Sequence, residues 1–339
     1  MKPEVISTIY AETVARRKLP ENFDREHLAL FEGELERVIP ECRLLRFHDV
    51  LASPDGLLFK GAKILPESFA FPYHLDDWRF RSVFKFLAKN YAFRRRRRIE
   101  PEALWITDYW STGYFHWLCD ALTRLFVVQD RPLLVLPGKF RTWEFVKSTL
   151  DAFGVTNVSF IESNEIVECR NLLLPSHTAP PGHFNSQAIR GVRNVLLSAY
   201  GSKDGEDRLY ITRAKAPKRR IVNEAEINPI LKEFGFVTVC MEDLSFAEQV
   251  RICSRARYIV SNHGAGLTNM LFMRDGGSVL ELRHKSDCIN NCYFTLSSAL
   301  DLKYFYQTCT PQNPHADPHE ADLFVEPEEL KRSLGLLLN

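Results

Sequence analysis

The hexapeptide HGAGLT at residues 263–268 combines residue types that suit an anion-binding loop. It follows an apolar run at residues 258–260, which predicts a buried parallel strand, and precedes residues 269–273, which predict the start of a helix. The free N–H groups and the positive dipole end of such a helix face the same space. The two glycines let the backbone approach a phosphate closely and adopt dihedral angles that a Cβ disfavours. The residues predicted to form this anion site are His263, Gly264, Ala265, Gly266, Leu267, Thr268 and Asn269.

Two further side chains are predicted to lie at the same edge of the sheet. Arg213 directly follows the strand predicted for residues 209–212, and Glu281 lies in the strand predicted for residues 278–282. An arginine can fork onto phosphate oxygens, and a carboxylate can accept hydrogen bonds from ribose hydroxyls. Together with the loop, they indicate a site for a nucleoside diphosphate. The alternatives are a solvated arginine in a basic loop for Arg213, and for Glu281 a buried glutamate paired to Arg283 or Arg213.

A second group of polar side chains lies on the helix predicted for residues 114–129. His116, Asp120 and Arg124 are spaced four residues apart and therefore share one stripe of this helix. A carboxylate one turn away from an imidazole can orient the ring and raise its basicity. We therefore expect His116 and Asp120 to be catalytic. The alternative is a polar helix face held by an ion pair between Asp120 and Arg124.

The elements that must position these residues alternate between strand and helix from about residue 103 onward. This alternation predicts an α/β fold with parallel, doubly wound sheets. A capping-box pattern from Ser245 to Glu248 marks the start of one helix. The glycine-rich, charged stretch at residues 201–207 predicts a linker between two domains. We expect a cleft between them, with ligands at the carboxyl ends of the strands.

The predicted domain boundaries follow from the linker. They are an N-terminal domain at residues 1–200, a C-terminal domain at residues 201–310, and a tail and helix at residues 311–339 that could pack back on the N-terminal domain.

Composition limits the class of protein. The 339 residues are 45% hydrophobic and 26% charged, as in a globular protein, and the net charge of +1 argues against a nucleic-acid binder. The sequence predicts no membrane-spanning helix and no signal peptide, so a cytoplasmic location is expected. A run of arginines predicts either a solvated strand or loop, or peripheral contact with an anionic membrane or a lipid-diphosphate acceptor. The run consists of Arg94, Arg95, Arg96, Arg97 and Arg98.

With these residues in view, the chain resembles the family 61 glycosyltransferases, also called the domain-of-unknown-function 563 group. The resemblance rests on five segments in the order of that family: residues 113–120, 209–213, 242–250, 261–269 and 279–282. It implies a GT-B fold, a nucleotide-sugar donor bound in the C-terminal domain, and inversion at the anomeric carbon. Residues 1–100 carry no part of the resemblance, and we expect them to hold much of the acceptor site.

These observations predict an inverting, metal-independent glycosyltransferase with two Rossmann-like domains whose parallel sheets face a cleft. The donor is expected to be UDP-linked, the acceptor a glycan or lipid-linked glycan, and the role polysaccharide biosynthesis. His116 oriented by Asp120 is the predicted base, and Asp120 itself is the alternative base. No cofactor is expected, and no metal, because the sequence lacks an Asp-x-Asp motif. The alternative functions are a nucleotide-sugar epimerase or hydrolase, and a non-catalytic nucleotide-sugar-binding protein.

Overall fold

The computed structural model of the chain describes residues 3–76, 80–202 and 205–339. The chain forms two compact units. The first contains Met1–Thr13 and Ile39–Val192, and the second contains Val14–Val38 and Arg193–Asn339. Residues 203 and 204 of the predicted linker lie outside the described residues.

The strands of the described ranges are numbered here in chain order. They are β1 (Glu4–Tyr10), β2 (Thr13–Arg16), β3 (Glu36–Ile39), β4 (Cys42–Ala52), β5 (Leu58–Lys60), β6 (Lys63–Ile64), β7 (Arg95–Ile99), β8 (Ala103–Leu104), β9 (Leu133–Pro137), β10 (Val158–Ile161), β11 (Glu165–Pro175), β12 (Asp207–Thr212), β13 (Val237–Cys240), β14 (Ala256–Asn262), β15 (Ser278–His284), β16 (Lys303–Pro311) and β17 (Leu323–Phe324).

The helices are numbered in the same way. They are α1 (Leu28–Phe31), α2 (Phe80–Phe93), α3 (Tyr114–His116), α4 (Leu122–Phe126), α5 (Glu144–Ala152), α6 (Ser186–Tyr200), α7 (Glu224–Glu233), α8 (Phe246–Arg255), α9 (Cys292–Ala299) and α10 (Pro327–Leu338). A π-helical turn, Trp117–Ala121, joins α3 to α4 in one continuous helix. A 3₁₀ helix, Ala265–Phe272, follows β14.

The sheet of the first unit is mixed: its strands from residue 103 onward are parallel, as predicted, and strands from the first 64 residues add an antiparallel part. Its main path runs β10-β9-β8-β11-β4-β5-β6, and β1 and β7 pair with β4 and β11. The strands β10, β9, β8, β11 and β7 are mutually parallel. The strand β4 is antiparallel to β11, β5 and β1. Since β4 reaches β5 through a short turn at residues 53–57, the chain reverses there, as hairpin connections require.

The sheet of the second unit is the predicted parallel, doubly wound type. Its order is β13-β12-β14-β15-β16, all parallel, with β17 antiparallel at one edge. All seven residues of β15 are buried, as expected for a strand covered on both faces. The order reverses between β12 and β14. In sheets of this kind, ligands bind outside the carboxyl ends of the strands at that reversal.

Two segments that the sequence did not place in the C-terminal domain group with the second unit. Residues 14–38 belong to the second unit, where the Phe31 ring packs edge-on against Phe294 and Tyr306. The tail at residues 311–339 also stays in the second unit, because the apolar side of α10 packs on α7, β15 and β16. Packing of this tail on the N-terminal domain stays a prediction. The unit boundary itself falls within α6, before residue 201.

The arginine run forms β7, the solvated strand that was one of the two predictions. Arg95 and Arg97 contact Glu165 on the neighbouring strand at 3.2 and 2.9 Å, and Arg96 contacts Glu168 at 2.6 Å. The remaining two arginines of the run pair with Asp55 and Glu100. All five charges therefore have carboxylate partners, and membrane contact through this run stays a prediction. None of the described helices has the length and hydrophobicity needed to span a bilayer.

Candidate functional site

The glycine loop lies at the carboxyl end of β14, on one side of the strand-order reversal. Gly264 precedes the 3₁₀ helix Ala265–Phe272, whose first N–H groups have no acceptor within the helix. Ala265 is exposed and Gly266 is half-buried, so this turn of the loop lies at the protein surface. The N–H of Leu267 donates to the Gly264 carbonyl at 2.8 Å and is not available to a ligand.

The two glycines of the loop are needed because a side chain would have no room there. The sequence analysis also predicted dihedral angles that a Cβ disfavours, and that part of the prediction is wrong. Gly264 has φ 160° and ψ 172°, an extended backbone open to any residue. A Cβ placed there would lie 2.2 Å from the Nη1 atom of Arg213. A Cβ on Gly266 would lie 3.0 Å from the Cγ2 atom of Ile211. The loop therefore lies directly against the end of β12.

The guanidinium of Arg213 is held beside this loop by backbone carbonyls. Its Nε donates to the Arg219 carbonyl at 3.3 Å, and its Nη2 donates to the Lys218 carbonyl at 3.2 Å. Arg219 has a left-handed backbone, φ 56°, and its carbonyl also accepts from the side chain of Asn262. Burial, followed by the positive charge of Arg219, lowers the pKa of Arg213. The positive charge of Arg219 is therefore close enough to act on the Arg213 guanidinium near the reversal point.

The other cations of this basic loop are neutralised by carboxylates. Lys215 pairs with Asp243, Lys218 with Glu320, and Arg220 with Asp322. Within the described ranges, neither Arg213 nor Arg219 is within ion-pair distance of a carboxylate. Arg213 is also only 9% exposed. It is therefore not the solvated loop arginine of the alternative interpretation. The positive charges of Arg213 and Arg219 are not balanced by carboxylates of the described residues, so they can attract an anion.

His263 and Glu281 form a hydrogen-bonded pair next to the loop. The Nδ1–H of His263 donates to Glu281 Oε1 at 2.5 Å, and the Tyr304 hydroxyl donates to Glu281 Oε2 at 2.5 Å. Burial works to raise the pKa of Glu281, but the charge and hydrogen bond of His263 outweigh it, with help from Arg283, and the net pKa is lowered. Glu281 is fully buried with both oxygens occupied. It is therefore placed to orient His263, not to accept from a ribose.

Three residues predicted to bind the anion are instead part of the packing under the loop. Leu267, Thr268 and Asn269 have no exposed surface. The Asn269 side-chain amide donates to the Gly266 carbonyl at 3.0 Å, and the Tyr293 hydroxyl donates to the Gly264 carbonyl at 2.6 Å. These contacts fix the loop conformation. The groups of the loop that reach solvent are His263, Ala265 and Gly266.

In the first unit, His116 and Asp120 meet as the spacing predicts. The Nδ1–H of His116 donates to Asp120 Oδ2 at 2.7 Å, with side chains that are 26% and 3% exposed. Burial works to lower the pKa of His116, but the hydrogen bond and charge of Asp120, aided by Asp108, raise it above its ordinary value. Asp120 lies in the π-helical turn, a feature common at functional sites that the sequence pattern did not indicate. The Nε2 atom of His116 remains as the group that a ligand can reach.

Arg124 does not form the ion pair of the alternative interpretation. Its side chain is buried and its Nε donates to the Pro175 carbonyl at 2.8 Å. No ion pair between Arg124 and Asp120 is found in the described part of the chain.

Asp108 and His177 form a second imidazole–carboxylate pair that sequence reasoning missed. His177 Nε2 lies 3.1 Å from Asp108 Oδ2. The other oxygen of Asp108 accepts from the amides of Trp110 and Ser111 at 2.8 and 3.0 Å, which shapes the loop leading to His116. Burial works to raise the pKa of Asp108, but its contacts with His177 lower it to about 2. The sequence offered one signal for this pair, which is the position of its members: Asp108 closely follows β8, and His177 closely follows β11.

The described residues contain no group of three or more His, Cys, Asp or Glu side chains that could hold a metal ion. That the reaction needs no metal ion nevertheless stays a prediction, because the absence of such a group does not show how the reaction proceeds.

Comparison with known proteins identifies similar sequences over the middle of the chain. Residues 114–280 match the sequence model of the family described as Glycosyltransferase 61. The EGF domain-specific O-linked N-acetylglucosamine transferase of Gallus gallus is 30% identical over 128 residues, covering 36% of this chain and 24% of that protein. The Rattus norvegicus protein of the same name is 29% identical over 153 residues, covering 43% and 29%.

A second kind of relative is the Protein O-linked-mannose beta-1,4-N-acetylglucosaminyltransferase 2 of Canis lupus familiaris. It is 40% identical over 137 residues, covering 38% of this chain and 23% of that protein. In each of these comparisons the chain spans less than a third of the relative's length.

Proposed function

Because residues 114–280 match the sequence model of glycosyltransferase family 61, we propose that this chain transfers a sugar from a nucleoside-diphosphate donor to a hydroxyl of a glycan or glycoconjugate. The transfer inverts the anomeric carbon, needs no metal, and uses the two units as the two domains of a GT-B enzyme. UDP-N-acetylglucosamine is the first donor to test, since the named relatives are N-acetylglucosamine transferases. Polysaccharide biosynthesis remains the proposed role.

The observation that carries the donor site is the pair of guanidiniums at the strand-order reversal. Arg213 and Arg219 have no carboxylate partner among the described residues, whereas the three other cations of the loop each have one. The amides of Ala265 and Gly266 and the free nitrogen of His263 lie on the adjoining strand end. Arginine forks and backbone N–H groups are the usual ligands of a diphosphate. A diphosphate bound here would have its charge balanced by the protein itself.

His116 is the proposed base because of its position relative to Asp120. The imidazole is the more exposed partner, and the carboxylate lies behind it. An ionised carboxylate accepts the Nδ1–H, which leaves a lone pair on Nε2 to take a proton. Asp120 as the base would have to reach the acceptor past the ring that it holds. The geometry therefore favours His116, with Asp120 as the positioning residue.

The proposed step is a single in-line displacement. The acceptor oxygen bonds to the anomeric carbon on the face opposite the diphosphate, and its proton passes to His116 Nε2. The bond from the anomeric carbon to the diphosphate oxygen breaks, and the diphosphate keeps the electron pair. In this proposal Arg213, Arg219 and the loop amides stabilise the charge that grows on the leaving group. Such prearranged donors stabilise a transition state without the reorganisation that solvent would need.

Calorimetry of UDP binding in the presence of EDTA tests the donor site. We expect UDP to bind, and Arg213→Ala to weaken binding by about 1.5–3 kcal/mol, the usual worth of hydrogen bonds to a charged group. Lys215→Ala is the matched control, because it removes a cation of the same loop that is already paired with Asp243. Equal UDP affinity in the wild type and Arg213→Ala would remove Arg213 from the site.

Turnover measurements separate transfer from the alternative functions. A transferase releases UDP from UDP-N-acetylglucosamine faster when an acceptor is added, and the sugar appears on that acceptor. An epimerase or hydrolase turns over the donor alone at its full rate. A non-catalytic binding protein retains UDP affinity and turns over no donor with any acceptor. Either of the last two results would contradict the proposal.

A further inference from the structure

A continuous series of aromatic rings adjoins His116 in the first unit. The ring centroid of Trp110 lies 5.2 Å from that of His116 and 5.0 Å from that of His74. Phe71 lies 5.6 Å from Trp110, and Tyr73 stacks on Phe71 at 5.3 Å with the planes 19° apart. We call Phe71, Tyr73, His74 and Trp110 the ring surface. It connects directly to the imidazole that we propose as the base.

The ring surface is open to solvent. Tyr73 is 60% exposed, and the other three rings are half-buried. One face of Tyr73 stacks on Phe71 and His74 contacts the ring edge-on, while its 60% exposure leaves the rest of the ring open to a ligand. Clusters of exposed aromatic side chains are costly in water and commonly mark binding sites. Tyrosine, tryptophan and histidine also keep a polar group beside each apolar face, so the surface can both stack and hydrogen-bond.

The charge of the two segments that supply these rings indicates the kind of ligand. Residues 69–76 read FAFPYHLD and residues 108–116 read DYWSTGYFH, and neither contains a lysine or an arginine. A phosphate or lipid diphosphate would require such cations. A pyranose instead offers an apolar C–H face to the rings and a rim of hydroxyls to the imidazoles of His74 and His116. The surface therefore matches a neutral sugar.

We propose that the ring surface binds a pyranose of the acceptor, with its C–H face on Trp110 and its edge towards Tyr73, and thereby presents one of its hydroxyls to His116. The inference rests on the proposed transferase function and narrows it, since the attacking group becomes a sugar hydroxyl. A serine or threonine hydroxyl of a peptide would not need an extended aromatic surface next to the base.

Saturation-transfer NMR on the full chain tests this inference with three probes: methyl α-D-mannopyranoside, methyl β-D-glucopyranoside and methyl β-D-galactopyranoside. We expect at least one to bind, with its ring protons closest to the protein. Tyr73→Ala and Trp110→Ala should each weaken this binding about tenfold, equivalent to about 1.4 kcal/mol. Trp110→Phe should retain most of it, because an aromatic face remains.

Phe93→Ala is the matched control. It removes an aromatic ring that is 81% exposed in the same unit but lies outside the ring surface, and it should leave sugar binding unchanged. UDP affinity is measured on every variant, since donor binding does not depend on the ring surface. A chain that binds UDP but no pyranoside would overturn this inference and leave the proposed function standing. A chain that binds no UDP would overturn the proposed function itself.

Two other results would also overturn the inference. One is pyranoside binding that persists unchanged in both Tyr73→Ala and Trp110→Ala. The other is a serine- and threonine-containing peptide that binds in a Trp110-dependent way while the pyranosides do not.

Discussion

Replacing Gly264 with alanine tests whether the glycine loop exists to admit the Arg213 guanidinium. The added Cβ would lie 2.2 Å from Nη1, 2.5 Å from Cζ and 2.9 Å from Nε of Arg213. The guanidinium must therefore retreat by roughly 1 Å to reach an ordinary contact. Its bonds to the Lys218 and Arg219 carbonyls, at 3.2 and 3.3 Å, have no such slack. The extended backbone of residue 264 accepts alanine without strain, so the effect comes from this one contact.

We expect Gly264→Ala to cost about 1–3 kcal/mol of unfolding free energy, the usual range for overpacking. It should also weaken UDP binding by about as much as Arg213→Ala does. Because Arg213→Ala removes the atoms that clash, Gly264→Ala should cost little more in that background. Denaturant unfolding and UDP calorimetry on both single variants and the double variant measure this coupling. Additive losses in the double variant would refute the argument, since the loop and the guanidinium would then be independent.

Three further predictions concern catalysis, pH and stability. His116→Ala and Asp120→Ala should each lower turnover by about 10²–10⁴ with UDP affinity unchanged, and near-normal kinetics in both would exclude this helix from the mechanism. Activity should fall as the pH drops through the raised pKa of His116, because only the neutral ring accepts a proton. Asp108→Asn removes a nearby negative charge, so the acid limb of the pH–rate profile should move to lower pH; an unmoved limb would contradict this. Gly335→Ala should raise the free energy of unfolding by about 0.5–1 kcal/mol, because residue 335 lies inside α10 and no atom lies within 4 Å of the new Cβ. A lower denaturant midpoint in this variant would contradict the prediction.

Local sequence rules determined most of the elements that carry the candidate site. The strands β9 and β10 begin and end where the apolar runs do. The helix α8 begins after Ser245 with both hydrogen bonds of the predicted capping box formed. The meeting of His116 and Asp120 also followed from spacing, because residues four apart on one helix are neighbours. Each of these outcomes depends on a few consecutive residues, which is why the sequence alone contained it.

The antiparallel strands of the first sheet and the unit boundaries depended on long-range packing. The strand β4 enters the first sheet antiparallel to β11, more than a hundred residues away in the chain. Residues 14–38 join the second unit through Phe31, whose aromatic partners lie near the other end of the sequence. No local pattern marks such a partner, because the pattern records which face is apolar and not what covers it.

The tertiary structure likewise decided which polar side chains of the site are buried and which can bind a ligand. The sequence indicated Arg213, the glycine loop and Glu281 as one group, and all three do lie in the second unit. Folding buried Glu281 completely behind His263 and left Arg213 beside Arg219, which forms no ion pair with a carboxylate of the described residues. It also brought Asp108 and His177, which follow two different strands, into contact. Burial and charge pairing arise from contacts between distant segments, so only the folded chain determines which polar group remains free to bind a ligand.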